Sequence, residues 1–172
     1  TAADPMFVRW RNTSAPLGMI VVGVEFHNGG GELGNQPFSA RLGDCWSGIK
    51  WVHENRNELG VSKIAVSGGG NLSIARAVKA MREGWLNAID GIHARCTYLS
   101  GTYMAPPSDL PSLLENDGYV LNTESMSHSV KVYDSNEEHG SNPLAWPLQA
   151  SPKDLWGLSL IHISEPTRRL VI

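Results

Sequence analysis

Ser67 is the residue whose neighbours best suit it to act as a nucleophile. It follows the short β-prone run Lys63-Ile64-Ala65-Val66 and precedes Gly68-Gly69-Gly70. Asn71 then opens a helical pattern with Leu72, Ala75, Val78 and Met81 on one face. A serine on a sharp strand-to-helix turn needs small residues two positions to either side, because the backbone crowds itself there. Ala65 and Gly69 meet that need. The amide of Gly68 would then lie near the helix N-terminus and point at a developing oxyanion. The same stretch also reads as a plain connection between strand and helix, since the leading glycine of G-x-S-x-G is absent.

A nucleophilic serine also needs a general base and an orienting acid, and groups of both kinds stand further along the chain. Downstream stand His93, His128 and His139, with Asp90, Asp109, Asp117 and Asp134. His93 lies in a strand pattern and reads as a packed core residue; His128 and His139 lie in polar, solvated surroundings. No pair has the spacing of a motif. Gly68-x-Gly70 has the start of a dinucleotide loop, but Ser73 stands where the third glycine belongs and Asp90 precedes a strand instead of ending one. His27-Asn28-Gly29-Gly30-Gly31 offers amides for an oxyanion, yet reads more simply as a connector. His53-Glu54 has no second histidine at helical spacing, so no zinc helix is expected. Asn12 and Asn71 match glycosylation acceptors without a secretory signal beside them. Four of the six tryptophans sit in or beside apolar elements, where packing is their expected role.

The elements that must position these residues follow from composition and periodicity. The chain has 172 residues and 18.7 kDa, which suits one domain. Apolar residues make up 41% and charged residues 18%, too apolar for disorder. With a net charge of −3 and a pI near 6.0 there is no footprint for nucleic acid or an anionic membrane. No window has the length of a membrane span, and the start is not a signal peptide. Cys45 and Cys96 both sit in apolar segments and read as buried thiols of a reducing compartment, so a cytoplasmic protein is expected. Met6 to Trp10 is a short amphipathic piece. Met19 to Phe26 is a β-branched run that suits a strand covered on both faces. Residues 40–59 follow helical spacing through Leu42, Cys45, Trp46, Ile49 and Val52, with Gly60 as the stop. Ser62 to Ser67 and Gly91 to Leu99 are further strands, and one or two amphipathic helices lie between Leu113 and Val132. Alternating strands and helices of this kind predict an α/β fold with a three-stranded parallel sheet and flanking helices.

Several segments resemble bacterial esterases of the hormone-sensitive-lipase-like α/β-hydrolase family. They include Val21-Val22-Gly23-Val24-Glu25-Phe26, Asp44-Cys45, Trp51-Val52-His53, Gly69-Gly70-Asn71-Leu72, Glu83-Gly84-Trp85-Leu86, Glu115-Asn116-Asp117-Gly118-Tyr119 and Asn142-Pro143-Leu144-Ala145-Trp146-Pro147. The resemblance runs in order over about residues 4–157. It implies a partial α/β-hydrolase domain over 1–157, including a shortened nucleophile elbow and part of the lid region. It also implies hydrolysis of small carboxylic esters through an acyl-serine, with no metal or organic cofactor and with a homo-oligomer as one option for the parent protein.

Three departures qualify it. The family's Ser-Gly-Glu-Ser-Gly-Gly-Gly-Asn is three residues longer than the stretch at Ser67. Such a loss shortens a strand by roughly 10 Å and inverts the faces of the side chains beyond it. The family's His-Gly-Gly oxyanion loop lies upstream of Met6–Arg11, and its acid and histidine lie beyond Gly157. The chain is therefore expected to be inactive or nearly so, with Ser67 as nucleophile and Gly68 as oxyanion donor in the parent. Leu158-Ser159-Leu160-Ile161-His162-Ile163-Ser164-Glu165-Pro166-Thr167-Arg168 looks like a translated sequencing adapter, so 158–172 is expected to be a non-native tail. The alternatives from other classes are a nucleotide-binding α/β module using the Gly68–Asn71 turn and a non-catalytic interaction fragment.

Overall fold

The computed structural model of the chain describes residues 3–30, 33–103, 108 and 111–158. Among these, Asp4 caps the first helix, its carboxylate accepting from the Met6 amide at 2.8 Å, and Pro5 opens it at a position that needs no donor. This helix, α1 (Pro5–Ser14), buries none of its residues. Helix α2 (Ala40–Glu54) buries Leu42, Cys45, Trp46 and Ile49 as predicted, but it is capped at Asn55, short of the expected stop at Gly60, and leaves Val52 half-buried. Strand β1 (Ala65–Gly69), helix α3 (Gly70–Arg82) and strand β2 (Gly91–Arg95) form one β-α-β unit. After Ser100 come a single turn, α4 (Ser112–Glu115), then α5 (Thr123–Tyr133) and two 3-10 turns at Pro147–Gln149 and Pro152–Leu155.

Helix α3 is the hub. Ala75, Ala77, Val78 and Ala80 are fully buried, and such small side chains let the sheet, α2 and the final turns approach its axis closely. One apolar cluster joins Trp46 and Ile49 of α2 to Val66 of β1, Ala80 and Ala88. A second joins Tyr133, Ala145 and Trp146, with Phe38, Tyr98 and Val130 packed around it. Asp154 fastens the last turn to α3, accepting from Arg82 Nε at 2.9 Å.

The sheet differs from expectation. Among the described residues it has two parallel strands, β1 and β2, not three. The run Met19–Phe26 makes no ladder. A cavity of about 600 Å³ lies between Ile20–Phe26 on one side and Lys63–Gly69 on the other. Strand pairing needs backbones about 4.7–4.9 Å apart, and no bridge joins these two segments. Met19, Ile20 and Val22 are accordingly exposed where a covered strand was predicted.

Cys45 is buried as expected, but Cys96 is exposed, because it follows the end of an edge strand instead of lying inside the layer. The adapter-like tail from Ser159 onward, with His162, Glu165 and Arg168, lies outside the described residues, as do Gly31, Pro106, Pro107 and Asp109.

Candidate active site

Strand β1 alternates its faces in the usual period of two, so Ile64 and Val66 turn inward and Ser67 outward. In the parallel register Ser67 stands opposite His93 and Gly69 opposite Arg95. Partners in register project from the same face, and Ser67 Oγ lies 3.2 Å from His93 Nδ1. The histidine predicted to be packed in the core is thus exposed beside the serine. The reason is topological: among the described residues β2 pairs with β1 alone and is an edge strand.

The handover from sheet to helix falls at Gly69–Gly70, two positions beyond Ser67. Gly68 and Gly69, expected in a tight turn, continue the ladder opposite Ala94 and Arg95. Gly70 is where a glycine is needed, since a Cβ there would come within 2.5 Å of the Thr97 backbone. Ser67 therefore sits inside a strand, and Gly68 has the position of a ladder residue instead of the first amide of a helix.

The other candidates are held elsewhere. Asp90 accepts from the Ile64 amide at 2.8 Å and from Lys63 Nζ at 2.9 Å, at the opening end of the strands. The Ile64 amide first, and then Lys63, hold its carboxyl below the usual carboxylate range. It stands at the far end of the sheet from Gly69–Gly70, so it does not complete a dinucleotide site there. Asp117 accepts from the Thr123 amide, and Asp134 accepts from the amides of Glu138 and His139. His128 is exposed, and the His139 ring lies 4.7 Å from that of Phe38. His27 donates its amide to Asp44 Oδ2 at 2.8 Å, and its Nδ1 lies equally close to the same oxygen. These bonds, the amide's first, lower the Asp44 pKa. The His27–Gly30 stretch is thereby tied to α2 as a connector.

Among the described residues, no carboxylate is hydrogen-bonded to His93, and no group of three or more His, Cys, Asp or Glu is placed to hold a metal. Asn71 is buried, its Nδ2 donating to the Ala145 carbonyl at 2.8 Å, so it is no open glycosylation acceptor. A second cavity, of about 450 Å³, opens where β1 and β2 end. That is the end of the strands at which open α/β sheets bind ligands. Arg41 and Tyr133 line it together with Asn71. Spacing could not have found this group, because its members come from α2, α5 and α3 and meet only through tertiary packing.

Residues 10–166 match the family model described as alpha/beta hydrolase fold. The chain is similar to the solved structure of brefeldin A esterase, a bacterial homologue of human hormone-sensitive lipase, with 39% identity and a TM-score of 0.86. That match covers 92% of this chain and 46% of the other. Esterase Est22 is 31% identical with a TM-score of 0.80, over 91% of this chain and 47% of its own. The carboxylesterase EstE1, cloned from a metagenomic library, is 24% identical with a TM-score of 0.58 over 67% of this chain and 40% of its own, a likeness of fold alone. A search of curated proteins returned no match. The chain spans less than half the length of these solved esterases.

Proposed function

The chain belongs to the alpha/beta hydrolase family, and from that premise we propose that it is the central portion of a carboxylic ester hydrolase whose nucleophile is Ser67. The observation that carries this reading is the 39% identity to brefeldin A esterase across 92% of the chain. The contact between Ser67 Oγ and His93 Nδ1 at 3.2 Å supports the choice of serine.

The chemistry available to that pair can be written through. With its proton on Nε2, His93 accepts the Ser67 proton at Nδ1 as Oγ attacks the ester carbonyl carbon. The tetrahedral adduct collapses, the C–O bond to the alcohol breaks, and the imidazolium returns its proton to the departing alkoxide. Water then cleaves the acyl-serine by the same path, releasing the carboxylic acid. No metal or organic cofactor enters these steps.

Two features make the chain as given a poor catalyst on this reading. His93 has no carboxylate to fix its tautomer among the described residues, a loss that drops kcat about 10⁴-fold in the serine protease triad. Ser67 also lies two residues short of the α3 N-terminus, and a misplacement of about 1 Å can cost about a hundredfold. Assayed with p-nitrophenyl acetate, the 172-residue chain is expected to show almost no turnover above the buffer rate. Robust turnover abolished by Ser67→Ala would overturn the reading of near-inactivity while upholding the nucleophile.

A further inference from the structure

We propose that the cavity at the head of α3 is a binding site for a small hydroxy-carboxylate, whose anionic end meets Arg41 and whose hydroxyl meets Asn71. This site does not depend on Ser67, which does not line it.

The cavity, of about 450 Å³, takes Gly70 and Asn71 from the first turn of α3, Arg41 from α2 and Tyr133 from α5. Helix α3 is 13 residues long and begins behind Gly69, which supplies no side-chain cap. Its first amides therefore carry the partial positive charge of a helix N-terminus without a side chain to receive them. Three side chains beside them each keep one polar atom without a partner, although Arg41 also donates from Nη1 to Asn28 Oδ1 at 3.4 Å. The Arg41 guanidinium lies 3.6 Å over the Tyr133 ring, and its buried Nε has no hydrogen-bond partner. Asn71 is 8% exposed, and with Nδ2 committed to the Ala145 carbonyl its Oδ1 is left buried and unpartnered. Tyr133 is 6% exposed with an unpartnered hydroxyl, which burial keeps in its protonated, donating form.

The donor and acceptor count selects the ligand class. Arg41, the α3 amides and the Tyr133 hydroxyl all donate, and a carboxylate accepts from several donors at once. Asn71 Oδ1 only accepts, so the ligand must also carry a donor. Acetate leaves Oδ1 empty, and a neutral alcohol leaves Arg41 empty. Glycolate serves both. Hydrogenphosphate carries the same two functions on a tetrahedral centre and is the rival source of this chemistry.

Isothermal titration of the whole chain with sodium glycolate, at ionic strength fixed with sodium chloride, tests the proposal. Saturable one-site binding is expected, at least about threefold tighter than acetate or phosphate. Arg41→Gln should weaken it about tenfold or more, as expected for losing a hydrogen bond to a charged group. Tyr133→Phe, which keeps the ring beneath Arg41, should weaken it about three- to tenfold, and Ser67→Ala should leave it unchanged. Should Arg41→Gln lose its helical circular dichroism, Tyr133→Phe decides alone. Absence of saturable glycolate binding, equal or tighter binding of acetate or phosphate, or a Tyr133→Phe titration identical to the parent overturns the assignment.

Discussion

Ser67 and His93 meet because parallel strands in register place partners on one face, so their contact depends on the sheet and on nothing local to either residue. If His93 serves as base, His93→Gln should slow the reaction of Ser67 with a fluorophosphonate by about a hundredfold or more, the usual worth of general-base help. Residue-level reactivity can be read at the thiols too. Burial pushes the Cys45 thiol up, opposed by the nearby Arg76 charge, whereas Cys96 is exposed. Iodoacetamide should therefore modify Cys96 in the folded chain and spare Cys45 until denaturant is added; equal rates would contradict the burial. At Asp154, hydrogen bonds from Arg82 first and then Ser151 bring the carboxyl down to about 2 from its ordinary 3.8. A depressed carboxyl stabilises the fold above its unfolded value and loses that contribution as pH falls through the folded one. The urea midpoint of Asp154→Asn should thus fall below that of the parent at neutral pH, and the gap should close as pH drops below 3.8 toward 2. Sequence reading found Ser67 as a candidate but placed His93 in the core, since nothing in one strand states how many strands will cover it.

Among the elements, helices were legible and sheet pairing was not. The apolar spacing of Leu42, Cys45, Trp46, Ile49 and Val52 predicts the buried face of α2, and the chain buries the first four and half-buries Val52. On α3 the predicted face of Leu72, Ala75, Val78 and Met81 is buried at its first three positions and half-buried at Met81. A helix satisfies its backbone within itself, so its pattern is local; a strand needs a neighbour that the pattern does not name. Met19–Phe26 has the composition of a buried strand and makes no ladder for that reason. The junction of β1 and α3 is likewise set by contact with Thr97, 27 positions beyond Gly70. Gly70→Ala should destabilise the chain by about 1–3 kcal/mol through overpacking. Gly43→Ala, in α2 with nothing within 4 Å of the added carbon, should stabilise it by about 0.5–1 kcal/mol. Chemical denaturation of the two variants checks both signs, and a neutral Gly70→Ala would show that the junction is slack.

On the scale of the whole molecule, the cavity beside β1 and a sheet of two strands among the described residues describe a body with a small core. A low, weakly cooperative thermal transition is expected, and a sharp one above about 65 °C, beyond the ordinary mesophile range, would contradict it. Family membership was legible from ordered motifs along most of the chain, because the family's turns and helix faces survive in it even where its sheet does not. The central claim is that Ser67 is the nucleophile of an ester hydrolase, and site mapping of a fluorophosphonate adduct by peptide mass spectrometry tests it most directly. The account predicts one slow adduct on Ser67 that vanishes in Ser67→Ala. An adduct on another residue, or none on a folded chain, would contradict it.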